Sequence, residues 1–377
     1  MKGKQGLVCM GLLLVLSSCH TGKQITASGL QRKDFQTEVN GQHTDLFTLS
    51  NKQGMEVCIT NYGARVVSIL VPDRNGKRED VVCGFSTITE YMEQRQNFGS
   101  TVGRYIGRIL NARFTLDGVE YKLVPNNGKS GHISHGGNPG FADRIWKVEQ
   151  ADTHRVRLSY LSPDGENGFP GNLKVTLVYS LGEDDNALDL TYEATTDAPT
   201  VLNLSHHSFF NISGNFTKSV EDQQLWVDAD RFTPYDDKKC VTGEYLPVAG
   251  TPLDFRMPHT IGECIDADHP QLKVVNGYDH TWELNTKGDD TRPAAWVYDP
   301  ASGCKMEIFT TEPGMQIYTG NGLKGKMTGK GGIAYPFRSA VCFETMHFQD
   351  SPNQPGFPST VLRPGEVFRS HTVYKFE

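Results

Sequence analysis

The sequence has no dense run of lysine and arginine, and its overall charge is mildly acidic. The 377 residues include 37 basic and 44 acidic side chains, which gives a formal charge of −7 at pH 7. Because nucleic-acid binding needs a cationic surface, nucleic acid is not an expected partner. The composition also excludes a collagen, a coiled coil and a polytopic membrane protein.

Motifs for metal binding and redox chemistry are missing too. The sequence contains no C-x-x-C pair and no H-E-x-x-H motif, so neither a zinc site nor a redox pair is indicated, and no metal is expected. Cys58, Cys83 and Cys342 lie in apolar, strand-like runs and are predicted to be small buried residues. The sequence leaves open a disulfide between Cys240 and Cys264.

The most frequent pattern in the sequence is the alternation of apolar and polar residues. Residues 156–160, 175–179 and 188–192 all show the period of two that is typical of half-buried strands. The last two segments are joined by a turn-rich connector, which predicts a hairpin. One helix is predicted near residues 87–94, with Thr87 and Glu90 as a capping box. The predicted fold is all-β, a large antiparallel β-sandwich.

The N-terminus reads as an export signal. Residues 1–18 combine two lysines with a short apolar run, and residues 16–19 resemble a bacterial lipobox that ends at Cys19. We therefore predict a signal peptide over 1–18, lipidation of Cys19, a polar tether over 19–40 and a single domain over 41–377. The protein would be an exported lipoprotein in the periplasm or at the cell envelope, held to the membrane through its lipid anchor only. A plain signal peptide with an incidental cysteine is the alternative.

Two histidine-containing segments carry polar residues that strand patterning does not require. In the segment 203–211, His206 and His207 must face opposite sides of a strand, so at most one of them points into a given cleft. A metal site and a hydrogen-bonded interior histidine are both open here, although no third ligand at suitable spacing is evident. His135 lies in a glycine-rich loop, where backbone can approach a ligand closely, although a plain surface loop is also open.

Charged residues occur among apolar ones at two further places. Glu344 interrupts an apolar run that otherwise reads as a buried strand. Because an isolated buried charge is costly, this carboxylate must be paired, protonated or functional; a salt bridge to an arginine is the alternative. Arg104 and Arg108 stand amid small and apolar residues, and ordinary surface arginines are the default interpretation for such a pair.

Taken in order, the motifs resemble the aldose 1-epimerase, or galactose mutarotase, family. The resemblance runs from about residue 45 to the C-terminus, and each motif is weak alone whereas the ordered set is specific. The matching landmarks are Asn61-Tyr62-Gly63-Ala64, Gly103-Arg104, Arg108-Ile109, His135-Gly136-Gly137, Phe169-Pro170-Gly171-Asn172-Leu173, residues 203–211, Gly277-Tyr278-Asp279-His280, residues 316–321, Glu344-Thr345, Phe357-Pro358-Ser359 and Leu362-Arg363-Pro364-Gly365-Glu366.

The resemblance implies a mutarotase-like β-supersandwich that holds an aldose sugar in an open cleft, without a cofactor or metal. It implies that Glu344 is the catalytic base and His207 the acid. At their usual pKa values of about 4.3 and about 6.5 the glutamate is ionised and the imidazole donates from its protonated form. The sugar-binding residues implied are His135, Arg108, Asp279 and Gln316.

This chain departs from the family pattern at two motifs. Gly107 stands where the family often has asparagine, and Met346 replaces the usual glutamine, while Gln349 stands near the usual proline. These changes bear on the orientation of the base and on the preferred sugar. Four aromatic residues are candidates for stacking on the sugar, although core packing is an alternative role for each of them: Phe209, Phe210, Trp282 and Tyr318.

The expected activity is interconversion of the α and β anomers of free aldohexoses such as glucose and galactose. An acid–base pair opens the ring, the aldehyde rotates, and the pair closes the ring on the other face. Three alternatives are open: a glycoside hydrolase with Asp279 and Glu344 as its carboxylate pair, a non-catalytic sugar-binding lipoprotein, and a hexose-6-phosphate epimerase. The oligomeric state is not indicated.

Overall fold

A computed structural model describes residues 24–377 of the chain. The predicted signal peptide over residues 1–18 and the predicted lipidation site at Cys19 lie outside these described residues. Within residues 24–377, no helix has both the length and the apolar character needed to cross a membrane.

The described chain is built mainly from short strands. The strands are β1 (Glu38–Val39), β2 (Gln42–His43), β3 (Leu46–Ser50), β4 (Glu56–Thr60), β5 (Arg65–Pro72), β6 (Arg78–Asp80), β7 (Ser100–Val102), β8 (Arg108–Ile109), β9 (Arg113–Leu116), β10 (Val119–Lys122), β11 (Ile133–Ser134), β12 (Lys147–Ala151), β13 (Arg155–Ser162), β14 (Leu173–Leu181) and β15 (Ala187–Thr196). They continue with β16 (Thr200–Val201), β17 (Ser205–His207), β18 (Phe209–Phe210), β19 (Gln224–Val227), β20 (Arg231–Thr233), β21 (Leu246–Pro247), β22 (His259–Thr260), β23 (Asp279–Glu283), β24 (Ala295–Tyr298), β25 (Lys305–Thr310), β26 (Gly314–Tyr318), β27 (Val341–Met346), β28 (Val361–Leu362) and β29 (Phe368–Phe376).

Helical structure is limited to short segments. The α-helices are α1 (Ile88–Gln94) and α2 (Pro270–Val275). The 3₁₀ turns are Arg32–Phe35, Leu110–Ala112, Gly128–Ser130, Phe141–Asp143, Glu166–Gly168, Lys330–Gly332 and Ser351–Asn353. The predicted helix is confirmed as α1, and its predicted capping box is present: Glu90 N–H donates to the Thr87 hydroxyl, and Thr87 N–H donates to the Glu90 carboxylate.

The largest sheet has nine strands, in the order β12-β13-β14-β15-β29-β25-β24-β19-β22. Buried residues alternate with more exposed ones along β14, because successive side chains of a strand point to opposite faces. The hairpin predicted from the sequence is formed by β14 and β15, which pair antiparallel with Leu181 opposite Leu188. The all-β antiparallel prediction is therefore confirmed.

Two further sheets pack against the same core. A six-stranded sheet has the order β18-β27-β26-β23-β20-β21, and a four-stranded sheet has the order β3-β4-β5-β6. Val341 and Phe343 of β27 and Ile317 of β26 lie in one hydrophobic cluster with Ile59 of β4 and Leu177 of β14. One face of the six-stranded sheet thus seals the core, so the alternate residues of the same strands face away from it.

The segment before the predicted domain boundary is not a free tether where it is described. Phe35 is fully buried and Leu30 is nearly so, while Arg32 makes a paired hydrogen bond to Asp45 at 2.8 and 2.5 Å. The prediction of a polar tether up to residue 40 is corrected for residues 24–40, because apolar side chains in this polar stretch anchor it to the domain.

Arg104 also differs from its sequence-based interpretation as a surface residue. Its side chain is 2% exposed and donates hydrogen bonds to the carbonyl oxygens of Ser162, Pro163 and Pro170 at 2.7–3.0 Å. A buried guanidinium is tolerated here because loop carbonyls accept its hydrogen bonds. Arg104 therefore ties loops together.

The cysteine predictions have two outcomes. Cys58, Cys83 and Cys342 are buried, as predicted. Cys240 and Cys264 are free thiols, so the disulfide that the sequence left open between them is not formed.

Candidate active site

The outward face of the six-stranded sheet forms the floor of a cavity of about 250 Å³. All six residues predicted for catalysis or sugar binding line it: Arg108, His135, His207, Asp279, Gln316 and Glu344. The other lining residues are Gln96, Asn97, Gly107, Ser134, Phe209, Tyr318, Met346 and Gln349. Residues from distant parts of the chain therefore converge on one site.

Strand register explains why the polar floor residues meet. Gln316 of β26 lies directly opposite Glu344 of β27, and on its other side opposite Thr281 of β23. Asp279 lies opposite Tyr318. Because the odd-numbered residues of β27 enter the core, Glu344 must face the cavity, which accounts for a glutamate within an apolar run.

His207 approaches Glu344 from a separate small sheet. Its strand β17 pairs with β7, and its Nε2 lies 3.4 Å from Glu344 Oε1. Both side chains are nearly buried, at 7% and 5% exposure. The neighbouring His206 points to the other face, where its Nε2 lies 2.7 Å from the Ser208 hydroxyl. The prediction that at most one of the two histidines enters the cleft is thus confirmed.

Burial acts in opposite directions on the two partners of this pair. It raises the pKa of Glu344 well above its usual value, and the nearby Asp279 carboxylate adds to this rise. Burial lowers the pKa of His207 well below its usual value, with a further contribution from His135. Burial thus disfavours the charged form of each group, relative to the charged pair expected from ordinary pKa values. Moving one proton from the imidazole to the carboxylate turns a charged pair into a neutral one, and the number of protons on the pair stays the same.

His135 adds a second imidazole to the same wall. Its ring centre lies 5.5 Å from that of His207, and its Nδ1 accepts the backbone N–H of Gly107 at 3.4 Å. Burial and the charge of Arg108 lower the pKa of His135 to about 4, so the ring is neutral at pH 7. Since Nδ1 is an acceptor, Nε2 carries the proton and can donate to a ligand oxygen.

A hydrogen-bonded row fixes the carboxylate of Asp279. Gln316 Nε2 donates to Asp279 Oδ1 at 2.6 Å, and the Thr281 hydroxyl donates to Gln316 Oε1 at 2.5 Å. Burial raises the pKa of Asp279, while Arg108 and the hydrogen bond from Gln316 oppose the rise. The row orients acceptor and donor atoms along the cavity floor, as binding of several hydroxyl groups requires.

The aromatic candidates divide into two pairs. Phe209 and Tyr318 line the cavity, and the Phe209 ring stacks on that of His207 at 5.1 Å between centres. Phe210 and Trp282 lie fully buried in the core, so they are not stacking residues.

Some cavity residues carried no signal strong enough to be proposed from the sequence. Gln96, Asn97 and Ser134 are polar residues in loops or short strands, where polarity is ordinary. Gln349 was visible only as a departure from the family pattern, although it lines the cavity and is 4% exposed.

One set of side chains in the described part of the chain has the spacing of metal ligands. Ligand atoms of His207, Cys342 and Glu344 lie within 4.8 Å of one another. Zinc binds the thiolate form of cysteine, whereas burial raises the pKa of the Cys342 thiol well above its usual value. Since Cys342 also lies outside the cavity lining, this set is poorly suited to hold zinc.

The fold and the cavity together define a β-sandwich enzyme with a buried carboxylate–imidazole pair in an open cleft. The family model for aldose 1-epimerase matches residues 45–375 of this chain. A galactose mutarotase from Bos taurus is 40% identical over 331 residues, which cover 88% of this chain and 93% of that protein. An aldose 1-epimerase from Escherichia coli K12 is 36% identical over 339 residues, covering 89% and 96% of the two chains.

Solved structures agree with the sequence relatives. An aldose epimerase homologue from C. elegans superimposes with a TM-score of 0.81 at 31% identity, covering 89% of this chain and 99% of that one. A galactose 1-epimerase from Lactobacillus acidophilus gives a TM-score of 0.78 at 28% identity, covering 90% and 96%. This chain belongs to the aldose 1-epimerase family, and it is an isomerase-type enzyme.

Proposed function

We propose that this protein interconverts the α and β anomers of free aldohexoses, glucose and galactose among them. The observation that carries the proposal is the distance of 3.4 Å between His207 Nε2 and Glu344 Oε1. The cavity around this pair is lined by polar side chains that can hydrogen-bond hydroxyl groups. The names of the relatives, galactose mutarotase and aldose 1-epimerase, support the same reaction.

In this proposal Glu344 is the base and His207 the acid. Glu344 removes the proton of the C1 hydroxyl while protonated His207 delivers a proton to the ring oxygen. The bond between C1 and the ring oxygen breaks, and C1 becomes an aldehyde. Glu344 is then protonated and His207 neutral, which is the form that burial favours. The proposed ring opening therefore removes the charge from both side chains, which is the direction in which burial acts.

Ring closure reverses the same transfers after the aldehyde rotates about the C1–C2 bond. The liberated hydroxyl returns its proton to His207 as it attacks the other face of C1, and Glu344 returns its proton to the C1 oxygen. Each positioned acid or base contributes about 10²–10⁴-fold to the rate. His135, Arg108, Asp279 and Gln316 hold the hydroxyl groups in this scheme, so that C1 stays beside the pair.

The decisive experiment is polarimetry on freshly dissolved α-glucose and α-galactose with the Glu344→Gln variant. We expect rotation to follow the uncatalysed rate while calorimetry still detects sugar binding. The matched control is Glu312→Gln, because Glu312 is a buried glutamate 2.7 Å from His347 Nδ1 outside the cavity lining. Turnover retained by Glu344→Gln would contradict the assigned base. Binding by the wild type without turnover would favour a non-catalytic sugar-binding protein.

We also propose that the protein is an exported lipoprotein anchored through Cys19. The charged start, the short apolar run and the lipobox-like residues 16–19 support this. Labelling of cells that express the full chain with radioactive palmitate tests it, with Cys19→Ser as the comparison. Label on the wild type alone is the expected result, and equal labelling of both would contradict the anchor.

A further inference from the structure

Gln349 connects two walls of the cavity through its side-chain amide. Its Nε2 donates to the Tyr235 hydroxyl at 2.6 Å and to Gln316 Oε1 at 3.3 Å. Its Oε1 accepts the backbone N–H of Arg108 at 3.2 Å. Both amide protons are therefore used, whereas the carbonyl oxygen has two lone pairs and has used one. The unused lone pair can accept a hydrogen bond from a hydroxyl group.

The side chain of Gln349 lies where a side chain at position 107 would be, and it fits there because residue 107 is glycine. A β-carbon added to Gly107 would lie 2.5 Å from Gln349 Cγ and 3.0 Å from its Cδ, which is closer than such atoms approach. The φ angle of Gly107 is +75°, a region that glycine and, among other residues, asparagine adopt most readily. An asparagine at 107 and this position of Gln349 therefore exclude each other.

We propose that Gln349 is a specificity-determining residue that accepts a hydrogen bond from one hydroxyl group of the bound aldose. The inference deepens the proposed function and rests on it. Gly107 offers no side chain for this contact and Met346 offers only a weakly accepting thioether, whereas Gln349 places an amide oxygen beside them. The favoured substrates are aldopyranoses that present a hydroxyl donor there.

A purely positioning role is the competing explanation. Gln349 touches Gln316, which in turn holds Asp279 at 2.6 Å, so its loss could act on the sugar through these two residues. A positioning role would weaken binding of every sugar alike, whereas a direct contact distinguishes sugars that have the relevant hydroxyl from those that lack it.

A cycle of protein variant against substrate variant separates the two roles. We would measure kcat and KM by polarimetry for galactose and glucose and for their 2-, 3-, 4- and 6-deoxy analogues, with wild type and Gln349→Leu. The expected result is a roughly 3- to 10-fold loss of kcat/KM on the parent sugars, as for loss of one hydrogen bond. On the one deoxy analogue that lacks the contacted hydroxyl, Gln349→Leu and the wild type should have the same kcat/KM. An equal loss across the whole series would overturn the inference.

Two complications are partial unfolding of a variant and absence of turnover in the wild type. Ratios between sugars for one variant do not depend on how much of that variant is folded. If the wild type shows no turnover at all, the proposed function fails, and the same series is then run by calorimetric binding. The Gln349 contact is supported or overturned there by the same criterion.

A second set of variants tests the steric coupling to Gly107. Gly107→Asn in the wild-type background should raise KM at least tenfold, because the new side chain collides with Gln349. In the Gln349→Ala background, where Cγ and Cδ are absent, the same substitution should raise KM by less than threefold. An equal increase in both backgrounds would overturn the coupling.

Discussion

His207 and Glu344 come from different sheets, yet their side chains meet at 3.4 Å. His207 lies on β17 and Glu344 on β27, and the surrounding core holds both strands in place. In the proposed reaction one proton leaves the C1 hydroxyl while another reaches the ring oxygen, so the two residues should behave as one functional unit.

The first prediction concerns the acid. His207→Gln should lower kcat by about 10²–10⁴-fold, and the double variant with Glu344→Gln should lose little more than either single variant, because the two groups transfer protons in one step. Polarimetry at saturating sugar measures this. His206→Gln is the matched control, since it changes the neighbouring histidine on the opposite face. Losses that multiply in the double variant would contradict a coupled pair.

The second prediction concerns metal. Activity should be unchanged after dialysis against EDTA, because the acid and the base of the proposed reaction are both side chains, and Cys342→Ser should remain active. Polarimetry before and after chelation provides the measurement. A loss of activity that added Zn²⁺ restores in the wild type and not in Cys342→Ser would show instead that the set His207, Cys342 and Glu344 binds a metal.

The third prediction concerns stability and pH. Hydrogen bonds from His371 to Asp189 and Asp290 raise its pKa to about 8. Since the folded state then holds a proton more tightly than the unfolded state, the stabilisation is fully present below about pH 6.5 and is lost as the pH rises through 8. Urea unfolding should show that His371→Gln is less stable than wild type at pH 6, by up to about 1 kcal/mol. The difference should vanish at pH 9, and a constant difference at both values would contradict the assignment.

The fourth prediction concerns Arg104. Arg104→Met should lower the free energy of unfolding by about 3–5 kcal/mol, because the buried carbonyl oxygens of Ser162 and Pro170 and the part-buried one of Pro163 lose their donor. Arg363→Met is the control, since Arg363 forms an exposed pair with Asp117 and should cost less than about 1 kcal/mol. Similar costs for the two variants would mean that Arg104 has no special structural role.

The alternating pattern of the strands was enough to predict much of the fold and some residues of the site. Period-two alternation predicted the β14–β15 hairpin, and the same rule placed His206 and His207 on opposite faces. Glu344 stood out because a charge within an apolar run needs a reason. Each of these inferences uses only local sequence, where the physics of a single strand determines the outcome.

Other features depend on contacts between distant segments. Arg104 looked like a surface residue because the loop carbonyls that accept its hydrogen bonds lie 58 residues and more away. Leu30 and Phe35 sit in a polar stretch, and only their burial against the domain distinguishes that stretch from a tether. Gln349 and Arg108 are 241 residues apart, so no local pattern could indicate that their contact shapes the cavity.

The alternation along β27 makes the alignment of this strand a condition for chemistry. Sliding it by one position against β26 would turn Phe343 toward the sugar and drive the Glu344 carboxyl into hydrocarbon. Such a mispaired chain would lose its proton acceptor and weaken its own interior at once. The same six residues therefore serve both the sealed core and turnover, and an activity assay of this enzyme also reports on whether that strand has paired correctly.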